Sequence, residues 1–351
     1  MVQNRTGRMA KRREPLNDTM LLMLIAIGIF VVMYASAMLL IGKRFLNFQE
    51  IFNLLNNNAY LIIVGCSLTI VMISGGIDIS VGGVVCLSAM SCAKYLQSSG
   101  NESGPFGVII ALLIALGIGL LFGLEQGFLV SYLEIQPFIV TLAGMFLSRG
   151  VTTMISSENV PIKHEAFLAM KKTALQIPGL GKMELGAFVA ILVLILMFLL
   201  LRYHKLGRSI YALGGNQQSA LMLGINVKKS RFLAYVISGM LSGLAGYVFI
   251  MHSASGKTSI GLRSEMDAIA AAIIGGTLLT GGVGNVIGTF FGVLILSTIQ
   301  EIMAASKVQE SYWQEIASGA MLALFILMQS VVLSRRGRKS KKTVWLKMKK
   351  E

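Results

Sequence analysis

The sequence predicts an all-α polytopic membrane protein with about ten transmembrane helices and with both termini in the cytoplasm. Its mean hydropathy is +0.73 and only 13% of its residues are charged, whereas soluble domains carry about 25%. Most of its 31 Lys and Arg fall in residues 5–13, 202–231 and 335–350. Ten crossings place these basic segments on one side, which the positive-inside rule identifies as the cytoplasm.

The first half of the chain contains five apolar segments that are long enough to be spans. They cover residues 20–41, the two halves of 59–96, 107–131 and 137–155. Residues 43–58 mix aromatic and polar side chains, which is typical of a short interfacial helix. Two glycine pairs interrupt 59–96 within residues 75–83, because each glycine weakens a helix by about 1 kcal/mol relative to alanine.

The second half begins with a long polar segment, 156–185, which we expect outside the membrane. In it Phe167, Met170 and Ala174 recur at helical spacing, opposite two lysines. Further spans are predicted at residues 185–201, 232–252, 267–281, 284–303 and 314–333. The predicted domains are a basic tail (1–18), a transmembrane domain (19–334) with an extracytoplasmic loop (156–185) and a cytoplasmic loop (202–231), and a second basic tail (335–351).

The stretch from Gly75 to Gly83 places one acidic side chain, Asp78, within an apolar segment. A carboxylate there costs a few kcal/mol unless it is capped, paired or hydrated. Asp78 or Ser80 caps the helix that begins at Val81, or lines the path of a solute, and the two roles are compatible. Residues 273–282 weakly repeat residues 73–83, either as a second broken segment of a transporter or by chance.

Several other classes of site are not supported by the sequence. Residues 256–258 resemble the end of a phosphate-binding loop, but Met251 stands where the first glycine is required. The three histidines and three cysteines do not have the spacing of metal ligands. Aromatic residues do not alternate with the basic ones, apart from Trp345, so a nucleic-acid partner is not indicated. We therefore expect no catalytic residue, metal site or cofactor on this chain.

Residues 207–226 form a polar cytoplasmic segment that contains a short apolar helix. Asn216 is a good N-cap, and Gly224 is a good residue to end a helix of about two turns. The apolar residues Ala220, Met222 and Leu223 have no membrane to enter if the flanking basic residues lie in water. We interpret this helix as a docking surface for a partner protein. The alternative is a helix that packs on the chain's own helices.

Four motifs give the chain a specific family resemblance. They are Gly-Gly-Ile-Asp-Ile-Ser-Val-Gly at 75–82, Ile-Gln-Pro-Phe-Ile-Val-Thr-Leu at 135–142, Leu-Gly-Gly-Asn at 213–216, and Gly-Gly-Thr-Leu-Leu-Thr-Gly-Gly-Val-Gly at 275–284. With these, the chain resembles the permease subunit of bacterial monosaccharide ABC importers, the group of ribose, xylose and galactose permeases. The segments at 141–146, 160–164 and 267–270 resemble the galactofuranose-type permease in particular.

This resemblance implies that the chain is half of a path for a galactofuranose- or ribose-like sugar across the bacterial plasma membrane. The implied partners are an ABC ATPase subunit that binds ATP and Mg²⁺, a second permease chain, identical or different, and an extracytoplasmic sugar-binding protein. A coupling helix over residues 215–225 would contact the ATPase. Its coupling residues would be Gly215, Asn216, Gln217, Gln218, Ser219, Ala220, Met222, Leu223 and Gly224.

A sugar has few charges, so hydroxyl and amide side chains are the expected partners along the path. Together with the acidic residue of the break, the candidates are Asp78, Ser80, Asn57, Asn58, Ser67, Thr69 and Gln126. The rival function is ion-coupled secondary transport of a small polar solute. It would use Asp78, Glu125 and Arg149 as a proton relay and would need no ATPase. Glu125 and Arg149 have a second interpretation, in which they pair with each other or lie near the membrane boundary.

Overall fold

A computed structural model describes residues 18–42, 45–99, 104–177, 181–305 and 319–327, together with Trp313 and Ile316. Six of the described helices are long and apolar enough to cross a bilayer, which confirms a polytopic, predominantly helical membrane protein. They are α1 (Asp18–Ile41), α5 (Gly104–Ser131), α6 (Pro137–Ile155), α8 (Leu185–Tyr203), α11 (Val227–Ser253) and α13 (Val286–Ala305).

Shorter helices and two small antiparallel sheets connect these spans. The helices are α2 (Phe48–Asn57), α3 (Ala59–Ile73), α4 (Val81–Ser98), α7 (Glu165–Lys172), α9 (Lys205–Gly215), α10 (Gln217–Met222) and α12 (Ser264–Ile274). The strands are β1 (Val160–Pro161), paired with β4 (Ser255–Gly256), and β2 (Ala174–Ile177), paired with β3 (Gly181–Glu184). Helix α10 precedes α11 and β4 follows it, so we call the two ends of the bundle the α10 end and the strand end.

Helices α2 and α3 form one bent element, with an angle of 60° between them. The bend lies at Asn58, whose side-chain amide donates to Leu54 O (2.9 Å). Two residues earlier, in α2, the Asn56 side chain accepts from Glu184 N (2.9 Å) and donates to Lys182 O (3.2 Å). A short helix is therefore present within the predicted segment 43–58, and β3 holds it at the strand end; its interfacial position stays a prediction.

Close contact between α5 and α11 depends on glycines at four-residue spacing, because small residues let helices approach closely. Gly119 and Gly123 of α5 face Gly239 and Gly243 of α11. A Cβ added to Gly239 would lie only 2.7 Å from Gly123 Cα and would also meet the Gly119 carbonyl. Any larger residue there would push the two helices apart.

The two glycine-rich breaks end their helices in the same way. Gly75 has a φ of +80°, and its N–H donates to Met72 O (2.9 Å), while the next N–H donates to Val71 O (3.1 Å). After α12, Gly276 has a φ of +93° and bonds Ile273 O (2.9 Å), and Thr277 N bonds Ala272 O (2.9 Å). Both are Schellman motifs with glycine in the left-handed region. In the structure Gly75 therefore corresponds to Gly276. The sequence repeat of 73–83 and 273–282 pairs Gly75 with Gly275 instead, which differs by one residue.

The two breaks also contact each other at the α10 end. Gly282 N donates to Ile73 O (2.9 Å), and a Cβ on Gly281 would lie 2.9 Å from Gly75 Cα. Gly214, in the last turn of α9, packs against the same two segments without room for a side chain. Helix α10 therefore follows directly from a point where both breaks meet.

Several predicted boundaries need correction. Ala174 does not extend a helix with Phe167 and Met170 but begins β2. The predicted span 267–281 is an 11-residue helix, whose rise of about 16 Å covers roughly half of a 30 Å hydrocarbon core. Of the predicted span 314–333, residues 316 and 319–327 are described and helical. The predicted tails 1–18 and 335–351 lie outside the described residues, except for Asp18, which begins α1.

Candidate functional site

The carboxylate of Asp78 is the centre of a buried polar network between α4 and α11. Its Oδ1 accepts hydrogen bonds from Ser80 N (3.0 Å) and Ser80 Oγ (2.7 Å). Its Oδ2 accepts from Ser238 Oγ (2.7 Å). The side chain is only 2% exposed. Asp78 therefore orders the backbone just before α4 and joins the start of this helix to the middle of α11.

The network continues from Asp78 in two directions. Ser238 Oγ lies 2.8 Å from Ser67 Oγ of α3, which in turn is 3.4 Å from Ser242 Oγ. On the other side, Ser80 Oγ lies 3.1 Å from Gln126 Oε1 of α5. The predicted residues Asp78, Ser80, Ser67 and Gln126 are thus brought together.

This network lies well inside the bundle along every helix that contributes to it. At 1.5 Å per residue, Gln126 is about 8 Å from the α10 end of α5, Ser67 about 9 Å from that of α3, and Ser238 about 16 Å from that of α11. The polar groups therefore lie away from the α10 end, within the bundle of helices, where unsatisfied hydrogen-bonding groups are costly.

The loop between β4 and α12 descends to the same level. Gly256 packs against Ala93 of α4, whereas Gly261 packs against Gly82, which lies about 16 Å further along this helix. Arg149 of α6 holds the loop, because its guanidinium donates to Gly261 O (2.7 Å). The segment 253–266 thus reaches into the bundle of helices.

The beginnings of α4 and α12 therefore lie side by side, and the two helices run to opposite ends of the bundle. A Cβ on Gly82 would be 2.9 Å from Ser264 Oγ and would also meet the Glu265 carboxylate. Glu265 is 7% exposed, and its Oε2 has no hydrogen-bond partner among the described residues. Paired half-helix N-termini near the midplane are typical of solute sites in transporters.

A cavity of about 500 Å³ opens beneath this network at the α10 end. Its walls are residues 75–77 of the first break, residues 136–138 at the start of α6, and Leu279 of the second break. Ile77 directly precedes Asp78, so the cavity borders the segment that carries the network.

The other predicted path residues lie elsewhere. Thr69 is buried, and its Oγ1 is 2.6 Å from Thr289 Oγ1, so it joins α3 to α13. Asn57 is exposed and Asn58 lies at the α2–α3 bend, both at the strand end. That these three contact solute stays a prediction.

Sequence reasoning did not identify three residues of the site: Ser238, Ser242 and Glu265. The two serines occur four residues apart, each directly before a glycine of the α11 packing face. The repeated Ser-Gly pair was a signal in the sequence that could have identified both serines. No local signal identifies Glu265, because nothing near it in the sequence indicates that the loop before α12 enters the bundle.

Glu125 and Arg149 lie on different parts of the molecule. Arg149 binds the loop carbonyls of Ile260 (3.4 Å) and Gly261 (2.7 Å) rather than Glu125. Glu125 is exposed on α5, on the opposite side from the glycines that contact α11. The predicted pairing of these two residues is therefore not found.

At the α10 end the predicted docking helix is present and capped. The Asn216 side chain accepts from Ser219 N (2.9 Å), and Gly224 ends the helix with a φ of +75°. Leu221, Met222 and Leu223 are 54%, 81% and 77% exposed. Ala220 is a correction, because it is buried with Leu213 and Val227 and anchors the helix instead of presenting a surface.

The start of α11 contacts both α10 and the loop that joins α5 to α6. Arg231 donates to Gln217 Oε1 (2.8 Å), and Lys228 forms an ion pair with Glu134 of that loop (2.9 Å). The hydrogen bond and positive charge of Lys228 lower the pKa of Glu134. Between these contacts lies a cavity of about 310 Å³. The start of α11 therefore connects α10 to the loop that precedes α6.

Comparisons with known proteins agree on one family. Residues 50–327 match the family model described as branched-chain amino acid transport system / permease component. The chain is 37% identical to the inner membrane ABC transporter permease protein YjfF of Escherichia coli, covering 92% of this chain and 93% of that protein. It is 32% identical to the fructose import permease protein FruG of Bifidobacterium longum (94% and 96%) and 31% identical to the ribose import permease protein RbsC of Escherichia coli (83% and 88%). No solved structure matches the chain.

Proposed function

This chain belongs to the family of branched-chain amino acid transport system permease components, and from that premise we propose that it is the permease subunit of an ATP-driven monosaccharide importer. The relatives named for a substrate import fructose, ribose, or galactose and methyl galactoside. A sugar therefore fits the chain better than the amino acid in the family's description. Within the sugars, the galactofuranose-type resemblance stays a prediction.

The observation that carries this proposal is the geometry of α10. It is a capped helix with three consecutive exposed apolar residues, and it adjoins both helix breaks through Gly214. An exposed apolar surface of this kind requires a partner. A permease of an ABC importer uses such a helix to receive motion from an ATPase, whereas an ion-coupled transporter has no need of it.

We assign the α10 end to the cytoplasm and the strand end to the outside of the bacterial plasma membrane. Ten membrane segments, with both termini inside, follow if α3, α4, α12 and the helix at 319–327 each count as one segment. The ATPase, with its ATP and Mg²⁺, would bind at α10, and the sugar-binding protein at the strand end. A second permease chain would supply the other half of the path.

In this scheme the solute crosses near the meeting point of α4 and α12. Ser80, Gln126, Ser67 and Asp78 supply hydroxyl, amide and carboxylate groups there, and the cavity beneath residues 75–77 leads to the cytoplasm. In the described conformation these side chains bond one another. We infer that solute passage requires the breaks to move, and that α10 drives this movement.

The decisive test is whether α10 holds the ATPase. In the complex purified from the native host, Leu223→Glu should abolish co-purification of the ATPase, because it puts a charge into an apolar contact. Leu175→Glu is the matched control, since Leu175 is similarly exposed (58%) but lies in β2 at the strand end. Equal assembly of both variants would refute the docking role.

Transport itself separates the two function classes. In vesicles that hold the complete complex and ATP, we expect sugar uptake without a proton gradient. Labelled ribose, fructose, galactose and leucine should be compared in the same vesicles. Uptake that an ionophore alone abolishes would support the ion-coupled alternative, and uptake of leucine alone would refute the sugar assignment.

A further inference from the structure

A cavity of about 600 Å³ lies at the α10 end, between α1, α8 and α9. It is separate from the network around Asp78 and from the exposed residues of α10. Two arginines line it: Arg202 from the last turn of α8 and Arg208 from α9. No carboxylate is among the described residues that form its walls. The cavity is therefore positively charged.

Neighbouring contacts fix how these arginines are presented. The Arg208 guanidinium donates through Nη1 to Tyr203 O (2.9 Å), which holds its plane against the end of α8. Tyr203 and Tyr211 add phenol groups to the walls. The two guanidinium groups offer the charge-assisted donors that phosphate oxygens accept best.

Besides the polar residues Thr19 and Asn285, the cavity wall has an apolar part that belongs to a membrane span. Leu201 of α8 directly precedes Arg202, and Phe198 lies about one turn further into the span. The same helix exposes Leu192, Ile195, Leu196 and Leu199 on its surface, where the acyl chains of lipids would contact it. The cavity thus has its charges at the membrane boundary and its apolar wall at membrane depth.

The cavity is also joined to the machinery that the proposed function uses. Tyr211 donates from its hydroxyl to Gly284 O (2.7 Å), at the end of the second break. One turn further along α9, Gly214 packs against Ile73 and Gly282. A ligand that contacts both α8 and α9 would therefore stabilise the position of α9, which directly precedes α10.

We propose that this cavity binds the phosphodiester headgroup of an anionic phospholipid from the cytoplasmic leaflet. The side of the membrane rests on the proposed function, which places the α10 end in the cytoplasm. Basic pockets between spans on that side are suited to anionic headgroups. A lipid is favoured over a free phosphate ion because Arg202 stands in the last turn of a membrane span, and Phe198, about one turn earlier in the same span, lines the same cavity.

The test measures lipid retention by native mass spectrometry on the full chain purified in detergent. Phosphatidylglycerol and phosphatidylcholine are added separately, without ATPase or solute. We expect selective retention of phosphatidylglycerol, weakened roughly fivefold by each of Arg202→Gln and Arg208→Gln. Lys205→Gln is the matched control, because it removes one positive charge from the same segment but does not line the cavity.

Three results would overturn the proposal. The first is equal retention of both lipids, and the second is a loss in Lys205→Gln as large as in the arginine variants, which would indicate diffuse charge attraction. The third is displacement of the lipid by millimolar inorganic phosphate, which would indicate a free-anion site. Melting temperatures of all variants verify that they fold. Because no transport is measured, failure of sugar uptake elsewhere would leave this result unaffected.

Discussion

Asp78 offers the sharpest test of how the broken helix is held. Its carboxylate accepts three hydrogen bonds, from Ser80 N, Ser80 Oγ and Ser238 Oγ. Asparagine has the same shape but no charge, and alanine removes every acceptor. Comparing Asp78→Asn with Asp78→Ala therefore separates the role of the charge from the role of the hydrogen bonds.

The structure gives a different magnitude for each change. Alanine removes the acceptor of all three donors, at about 1–3 kcal/mol for each donor that stays unsatisfied. Ser80 Oγ and Ser238 Oγ still have Gln126 Oε1 and Ser67 Oγ as neighbours, so we expect a loss in the lower part of the summed range, about 3–6 kcal/mol. Asparagine keeps both bonds from Ser80, and its amide can donate to Ser238 Oγ. That hydroxyl can then turn towards Ser67 Oγ, 2.8 Å away. The loss should stay below about 2 kcal/mol, because only charge assistance disappears.

The assay has two readings. Thermal unfolding of the purified chain in detergent should give a melting temperature near wild type for Asp78→Asn and a much lower one for Asp78→Ala. Sugar uptake by the reconstituted complex should follow the same order. Ser238→Ala, which removes one of the three donors, should fall between the two in stability.

Two outcomes would refute this reasoning. If Asp78→Ala is as stable as wild type, the three hydrogen bonds do not hold the break. If Asp78→Asn folds normally but transports nothing, the charge itself acts in transport, as the ion-coupled alternative requires. Either result would show that anchoring the broken helix is not the main role of Asp78.

Three further predictions concern packing and surface charge. Gly276→Ala should lower the melting temperature markedly, because its φ is +93° and a Cβ would meet Leu22, whereas Gly215→Ala, with open space around it, should not. Gly239→Leu should reduce the folded fraction in size-exclusion chromatography, because it separates α5 from α11, and a normal elution profile would contradict that contact. Glu134→Gln should leave the melting temperature unchanged at any salt concentration, because exposed ion pairs contribute little; a salt-dependent loss would contradict this.

Much of the fold could be predicted because its signals are local. Apolar segment length identified the helices α1, α5, α6, α8 and α13, since a span needs about twenty apolar residues. Glycine pairs marked both breaks, and the capping residues Asn216 and Gly224 fixed the bounds of α10. The depth of the 257–263 loop could not be predicted, because it depends on packing against Gly82 and on Arg149.

For the candidate site, composition identified which side chains to consider but not which of them meet. Asp78, Ser80, Ser67 and Gln126 do so, whereas Asn57 and Asn58 lie at the strand end. In α2 the buried asparagine is Asn56, because helical phase turns each successive side chain by about 100°. Ala220 was expected on the docking surface but is covered by Leu213 and Val227. Helical phase again decides which side of α10 is buried.

By itself, the sequence determined that this is a helical membrane protein with glycine-broken segments and a capped polar-loop helix. Each of those features follows from neighbours in the chain: hydrophobic length, backbone freedom and capping groups. Only the tertiary structure decided that the N-termini of α4 and α12 meet, that Ser238 donates a hydrogen bond to Asp78, and that Gly214 connects α9 to both breaks. Those contacts join residues that are far apart in sequence, and close packing of helices, not local propensity, selects them.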